Sequence, residues 1–223
     1  MYGTIRPLIV KKRAENAAAA PRGRARGPRL AIDAEGRVNL ALQVPSPNRD
    51  ERPEGSAIEL LVVHGISLPP GVFEGDGVER LFTNRLDPRA HPYYATIADL
   101  RVSSHFLIRR DGRLLQFVLC GKRAWHAGAS AWRGRRACND FSIGIELEGT
   151  DDEPYTGAQY RILARLARAL ARRYPVADIV GHSDIAPGRK TDPGPAFDWT
   201  RLQRALSPRA RGPVRRVRRP GKV

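Results

Sequence analysis

Residues 58–66, IELLVVHGI, form an almost continuous apolar run that is rich in leucine and valine. Such a run is typical of a β-strand that is buried on both faces, as in a sheet covered by helices. His64 lies near its end, just before the breaking residues SLPPG. Two further stretches, FSIGIELEG at 141–149 and ADIVGHSD at 177–184, also read as strands, and the second leads to His182. These strands predict a buried central sheet.

Hairpin and helix signals surround these strands. The stretch SHFLIRRDGRLLQFV, residues 104–118, carries Asp111-Gly112 between apolar segments, which is a strong signal for a β-hairpin. Helices are predicted at 77–86, from an N-cap at Thr156 to a stop at Pro175, and at 197–206. A hairpin among strands that alternate with helices predicts the α/β class: a single domain with a central mixed β-sheet flanked by α-helices.

The basic charge of the chain lies at its two ends. The 223 residues carry a net charge of +16, but residues 1–30 hold eight Lys and Arg against one acid, and residues 201–223 hold nine and no acid. The body between them has 22 basic and 22 acidic residues and is therefore neutral. The composition predicts three segments: a disordered basic extension at 1–40, one domain at 41–207, and a disordered basic tail at 208–223.

The function of these two arms is open from the sequence. They are rich in Arg, Pro, Gly and Ala and contain little to bury. Such arms can contact polyanions non-specifically through phosphate groups, or they can be solvated tails that only aid solubility. A protein whose main function is nucleic-acid binding is disfavoured, because the body is neutral and has no recognisable nucleic-acid-binding motif.

The cellular location is predicted from features that the sequence lacks. The first residues, MYGTIRPLIVKKR, contain a short apolar run broken by Arg6 and Pro7, unlike the apolar region of a signal peptide. No apolar stretch approaches the length of a membrane span. Cys120 and Cys138 form no CxxC pair and are expected to be reduced thiols. The expectation is a cytoplasmic protein.

Two histidines and one aspartate form a candidate metal site. His64 and His182 stand at the C-terminal ends of apolar strands, where a sheet presents side chains to a cleft. Asp192 lies in GHSDIAPGRKTDPGPAFDW at 181–199, whose prolines and glycines predict a stiff loop without helix. Two imidazoles and a carboxylate, with one position left for water, are typical of a catalytic zinc centre. Lys190 would share a face with Asp192 in an extended segment and could stabilise an oxyanion.

Such a centre also needs a general base, and one strand offers two carboxylates. In SIGIELEG, residue alternation places Glu146 and Glu148 together with Ser142 and Gly144 on one face, which we expect to be open. Periodicity alone does not say which glutamate is the base. Either of them could instead be a solvated or salt-bridged edge residue.

Four long motifs indicate a family. LLVVHGISLPPG, RAWHAG, CNDFSIGIELEGTD and GHSDIAPGRKTDPGPAFDW closely resemble the N-acetylmuramoyl-L-alanine amidase type 2 family, which includes phage T7 lysozyme-like amidases and peptidoglycan recognition proteins. The resemblance runs from about Val44 to Leu206. It implies a zinc amidase that cuts the bond between the lactyl group of a 1,6-anhydro-N-acetylmuramyl peptide and its L-alanine, during the cytoplasmic recycling of peptidoglycan.

The resemblance also implies roles for individual residues. The zinc ligands of the family match His64, His182 and Asp192, so one Zn²⁺ ion per chain is expected. The glutamate that activates water matches Glu146, which leaves Glu148 a supporting role. The catalytic lysine of the family matches Lys190.

Three further positions bear on substrate contacts. Trp125 could supply an apolar wall for the sugar, and Arg101 a charge partner for peptide carboxylates. The sequences that the chain resembles commonly carry Asn after the first zinc-binding histidine, whereas this chain has Gly65. A polar contact to the substrate is therefore expected to be missing or made by another residue.

The competing interpretation is a recognition module that binds a muropeptide without cutting it. Non-catalytic relatives in the superfamily lose a zinc ligand, whereas all three ligand positions and both catalytic positions are filled here. The expectation is an enzyme that acts as a monomer on a small-molecule muropeptide.

Overall fold

The computed structural model of the protein describes residues 29–207. The strands in this part are β1 (Leu42–Gln43), β2 (Arg49–Asp50), β3 (Leu60–Ile66), β4 (Phe106–Ile108), β5 (Leu114–Gln116), β6 (Arg123–Ala124), β7 (Ala131–Trp132), β8 (Arg135–Arg136), β9 (Ser142–Glu148) and β10 (Asp178–Gly181). The α-helices are α1 (Gly77–Phe82), α2 (Pro92–Ile97), α3 (Gly157–Arg173), α4 (His182–Ile185) and α5 (Trp199–Leu206).

Six of the strands form the central sheet, in the order β1-β5-β4-β9-β3-β10. The strands β4, β9, β3 and β10 run parallel to one another, whereas β4 and β5 form the antiparallel hairpin predicted around Asp111-Gly112. Both parallel and antiparallel pairs are present, so the predicted mixed sheet with flanking helices is confirmed. None of the helices within residues 29–207 is long and apolar enough to cross a membrane.

The helices α3 and α5 cover one face of the sheet. Ile143, Ile145 and Leu147 of β9 point into a core that they share with Leu163 of α3 and Leu202 of α5. The alternate residues of β3 and β9 point to the other face, where loops and α4 cover them. All seven residues of β9 are buried, so the face with the two glutamates is not open to solvent as the alternation suggested. The candidate site lies on this second face.

The start of α3 ties the helix to the sheet. Thr156 is the N-cap, as predicted: its hydroxyl accepts from the backbone N–H of Gln159, and the Gln159 side chain accepts from the N–H of Thr156. The Gln159 amide also donates to the carbonyls of Ile108 and Glu148 at 3.2 and 2.9 Å. These bonds hold the helix against the ends of β4 and β9.

Two helices differ from the prediction. The helix α2 was not predicted; it begins at Pro92, directly after His91, whose ring accepts from the N–H of Tyr93. The helix α4 lies in the loop that was predicted to contain no helix. That prediction was wrong because Gly181 lies at the N-cap and the next breaker is Pro187, which leaves room for one turn. The Asp184 carboxylate accepts from the N–H of Gly181 to start it.

The N-terminal boundary also differs from the one expected. Leu30 and Val38 lie within the segment predicted to be disordered, yet both are buried in the main core. Val38 donates its N–H to the Gln116 side chain at 2.8 Å, and Gln116 in turn donates to the carbonyl of Gly36. Residues 29–40 therefore pack against the sheet. Most of the predicted arms, residues 1–28 and 208–223, lies outside the described residues.

Candidate metal centre

Strand pairing brings the two predicted histidine ligands together. Strands β3 and β10 are parallel neighbours in which Val63 is aligned with Gly181. The next residue on each strand is a histidine, His64 on β3 and His182 at the start of α4. The loop after α4 returns to this point because the N–H of Ser183 donates to the carbonyl of Asp192 at 2.9 Å. Three residues that are distant in sequence thus meet at one end of the sheet.

The donor atoms of these residues form a small triangle. Nδ1 of His64 lies 3.0 Å from Nδ1 of His182 and 3.2 Å from Oδ2 of Asp192, and the remaining side measures 3.1 Å. A tetrahedral ion with bonds of about 2.0–2.1 Å would separate its ligand atoms by about 3.3–3.4 Å. Within residues 29–207, no other group of His, Cys, Asp and Glu side chains brings three donors this close. The donor set therefore fits one tetrahedral metal ion.

Burial and hydrogen bonding favour the metal-binding protonation states of His64 and Asp192. Burial lowers the pKa of His64 to about 4, although Asp192 opposes this shift, so the ring is neutral at pH 7. For Asp192, burial would raise the pKa, but hydrogen bonds from His182 and His64 lower it well below the usual value. A neutral imidazole and an ionised carboxylate are the forms that bind metals.

Glu146 lies next to this triangle and has a free oxygen. In the pairing of β3 with β9, Glu146 is aligned with His64. Its Oε2 is buried and has no hydrogen-bond partner among the described residues. Burial raises the pKa of this carboxyl well above its usual value, and the charge of Asp192 adds to the effect while Lys190 opposes it. A buried, unpaired carboxylate is costly to the fold and is typical of a functional group.

Glu148, the second carboxylate of the strand, has a different environment. Its Oε1 accepts from Arg109 at 2.5 Å and its Oε2 from the N–H of Arg110 at 3.1 Å. Arg109 also pairs with Glu79 of α1. Both Glu148 oxygens are therefore occupied by structural partners, which distinguishes the two glutamates where periodicity could not.

The ring of Tyr155 explains the glycine at position 65. Tyr155 is buried, and its hydroxyl donates to the carbonyl of Pro193 at 3.0 Å, directly after Asp192. A Cβ atom at Gly65 would overlap this hydroxyl. The space next to His64 that an asparagine would use is thus filled by a group that holds the Asp192 loop.

The other three predicted site residues are exposed or half-buried. Lys190 is exposed and close enough to affect the titration of His64 and Glu146 electrostatically. Trp125 is half-buried; its backbone N–H donates to the Ser103 hydroxyl, and its carbonyl accepts from the N–H of Ser103. Arg101 is exposed, and its side chain donates to the carbonyl of Ala98. The roles of Lys190, Trp125 and Arg101 stay predictions.

A third histidine contacts the triangle, although the sequence analysis assigned it no role. His126 belongs to the RAWHAG motif, and its Nδ1 lies 2.9 Å from Nε2 of His64. The RAWHAG motif was the only feature of the sequence that could have indicated a role for His126. Local periodicity does not predict a contact between residues 62 positions apart.

Comparison with known proteins assigns the chain to a family. Residues 54–195 match the family described as N-acetylmuramoyl-L-alanine amidase. The chain belongs to this amidase family. The amidase is 57% identical over 176 residues to the 1,6-anhydro-N-acetylmuramyl-L-alanine amidase AmpD of Citrobacter freundii, covering 78% of this chain and 94% of that protein. The predicted family resemblance is confirmed.

Two solved structures resemble the amidase. A crystal structure of a selenomethionine AmpD derivative superimposes with a TM-score of 0.78 at 57% identity, covering 80% of this chain and all of the other. The Escherichia coli amidase AmiD, solved with the substrate anhydro-N-acetylmuramic acid-L-Ala-D-γ-Glu-L-Lys, has a TM-score of 0.50 at 32% identity, covering 78% of this chain and 65% of that one. These structures share the fold of the amidase.

Proposed function

We propose that this amidase hydrolyses the amide bond between the lactyl group of 1,6-anhydro-N-acetylmuramic acid and the L-alanine of the stem peptide, in cytoplasmic recycling of peptidoglycan. The observation that carries the proposal is the buried, unpartnered Oε2 of Glu146 next to three converging donor atoms. The reaction named for the AmpD relatives supports the choice of substrate. A small muropeptide is thus the expected partner.

The triangle would hold one Zn²⁺ ion through His64, His182 and Asp192. Two imidazole nitrogens and one carboxylate oxygen are a donor set that catalytic zinc uses. When bound, zinc lowers the pKa of a bound water towards about 7 and polarises a carbonyl group. Ionised Asp192 would also reduce the net positive charge of the centre.

Glu146 would act as the general base and then as the general acid. Burial raises the pKa of Glu146, which makes its carboxylate a better proton acceptor than an exposed one. It would take the proton from the attacking water and return that proton to the leaving nitrogen of L-alanine. Lys190 would offset the negative charge that develops on the carbonyl oxygen. Trp125 and Arg101 remain candidates for contacts to the sugar and to peptide carboxylates.

Mass spectrometry of a defined muropeptide tests this function. Purified protein incubated with anhydro-N-acetylmuramyl-L-Ala-D-γ-Glu-L-Lys should release a peptide with a free L-alanine amino group, and the two products together should gain one water. A chelator should stop the reaction and added zinc should restore it. Intact substrate after incubation with zinc-loaded protein that demonstrably binds it would instead indicate a recognition module.

Removing the arms should separate amidase activity from binding to polyanions. Residues 1–28 contribute a net charge of +6 and residues 209–223 one of +7, whereas every proposed site residue lies between them. Deletion of both segments should leave zinc content and amidase turnover nearly unchanged. Retention on heparin should fall steeply, and only the intact protein should show strong salt dependence. A truncated protein that keeps its melting temperature but loses most of its turnover would show that the arms serve catalysis.

A further inference from the structure

The two histidines of the triangle each use their second ring nitrogen for a defined contact. Nε2 of His64 lies 2.9 Å from Nδ1 of His126, and Nε2 of His182 lies 3.3 Å from the carbonyl oxygen of Ala127. Residues 126 and 127 are consecutive, so one short segment contacts both histidines on the side away from the triangle. The other nitrogen of His126, Nε2, lies 3.0 Å from the hydroxyl of Ser142.

The hydrogen-bond chain has only one direction that is compatible with metal binding. If Nδ1 of His64 donates its lone pair to a metal, the ring carries its proton on Nε2. That N–H can only donate to Nδ1 of His126, which must therefore be an unprotonated acceptor. The neutral His126 ring then carries its proton on Nε2 and donates to Ser142. Each ring thus has a single allowed tautomer, and the chain runs from His64 through His126 to Ser142.

The position of the His126 ring is built into the strand below it. A Cβ atom at Gly144 would lie 2.5 Å from Cγ of His126, so the ring occupies space that only glycine leaves free. Gly144 lies between Ser142 and Glu146, and alternation places all three on one face of β9. The Asn139 side chain accepts from the N–H of His126 at 3.2 Å and thereby fixes the backbone as well.

We propose that His126 is a positioning residue that sets the tautomer and ring orientation of His64 for metal binding. The inference rests on the zinc centre of the proposed function. Ser142 anchors the His126 ring, and Gly144 makes room for it. Partners that orient metal-binding histidines commonly contribute about 10–100-fold to metal affinity, and we expect His126 to fall in this range.

Zinc affinity, measured by competition with a chromophoric chelator, tests the role of His126 without any substrate. H126F keeps a ring of similar size but leaves the Nε2–H of His64 without an acceptor, so its zinc affinity should fall by about 10–100-fold. H126N can place an amide oxygen where Nδ1 lies and should recover most of the affinity. H126Q places its amide nearer the Ser142 end and should not. If H126F does not fold, the zinc affinities of H126N and H126Q still test the proposal, because only H126N should recover most of the affinity.

A control and a spectroscopic signature complete the test. H91F removes a histidine outside the site, at the start of α2, and should leave zinc affinity unchanged. In zinc-loaded wild-type protein, ¹⁵N NMR of the imidazoles should show protonated Nε2 and unprotonated Nδ1 in His126. Wild-type zinc affinity in H126F, protonation of His126 at Nδ1, or a wild-type protein that binds no zinc would each overturn the proposal. Failure of the zinc-loaded wild-type protein to cut muropeptide would overturn the proposed function alone.

Discussion

Replacing Glu146 with glutamine should lower amidase turnover by about 10²-fold or more, the scale of a lost general base. Glutamine has nearly the same size, but its amide cannot accept the proton of the attacking water. Zinc content should stay at the wild-type value, because Glu146 is not part of the donor triangle. The measurement is kcat on an anhydro-muropeptide, together with elemental analysis of the same preparation.

The stability of this variant gives an independent check. Burial raises the pKa of Glu146, so an ionised carboxylate at neutral pH disfavours the folded state. Glutamine removes that cost, and the free energy of unfolding should therefore stay the same or rise, as is common when a strained catalytic group is replaced. A variant that loses turnover and stability together would indicate that Glu146 has a structural role.

Glu148 provides the matched control on the same strand. E148Q weakens the buried ion pair between Glu148 and Arg109. The Arg109 side chain is 7% exposed and the Glu148 side chain 4%. The free energy of unfolding should fall by about 3 kcal/mol, the lower end for a broken buried ion pair, since Glu79 still contacts Arg109. Turnover of the protein that remains folded should change much less than in E146Q. The opposite pattern would assign the base to Glu148.

Replacing His182 with alanine should remove most of the bound zinc and, with it, the amidase activity. The variant deletes one corner of the triangle, which leaves two donors where the ion needs three. Zinc affinity should fall by more than the about 10–100-fold that is typical when a hydrogen-bond partner of a ligand is removed. Elemental analysis after dialysis against a weak chelator measures the remaining stoichiometry.

The matched control for this experiment is His91→Ala, because His91 lies outside the site at the N-cap of α2. This control should retain one zinc per chain and wild-type turnover. Far-UV circular dichroism should show that both variants keep their secondary structure. Stoichiometric zinc in the His182 variant would remove His182 from the centre, and the proposed ligand set would then be wrong.

Several features of the fold follow from local sequence. Three features depend only on residues that are close in sequence: the apolar run of β3, the turn at Asp111-Gly112 and the N-cap at Thr156. They can therefore be predicted from neighbouring positions. The candidate metal-binding trio could also be predicted, because His64 and His182 lie at the ends of strands and parallel strands end at the same edge of a sheet. The family motifs added the specific roles.

The different contacts of Glu146 and Glu148 required the tertiary structure, although the family motif had already implied that Glu146 is the base. Both glutamates lie on one face of one strand, and only contacts with distant residues separate them: Arg109, 39 positions from Glu148, pairs with one, whereas Oε2 of the other has no partner among the described residues. The contact of His126 with His64 likewise joins positions 62 apart. Periodicity specifies the direction of a side chain, but the partner on that side depends on how the whole chain packs. The sequence by itself therefore determined the strands and the candidate ligands, and the packing decided which carboxylate is left free and which histidine supports the site.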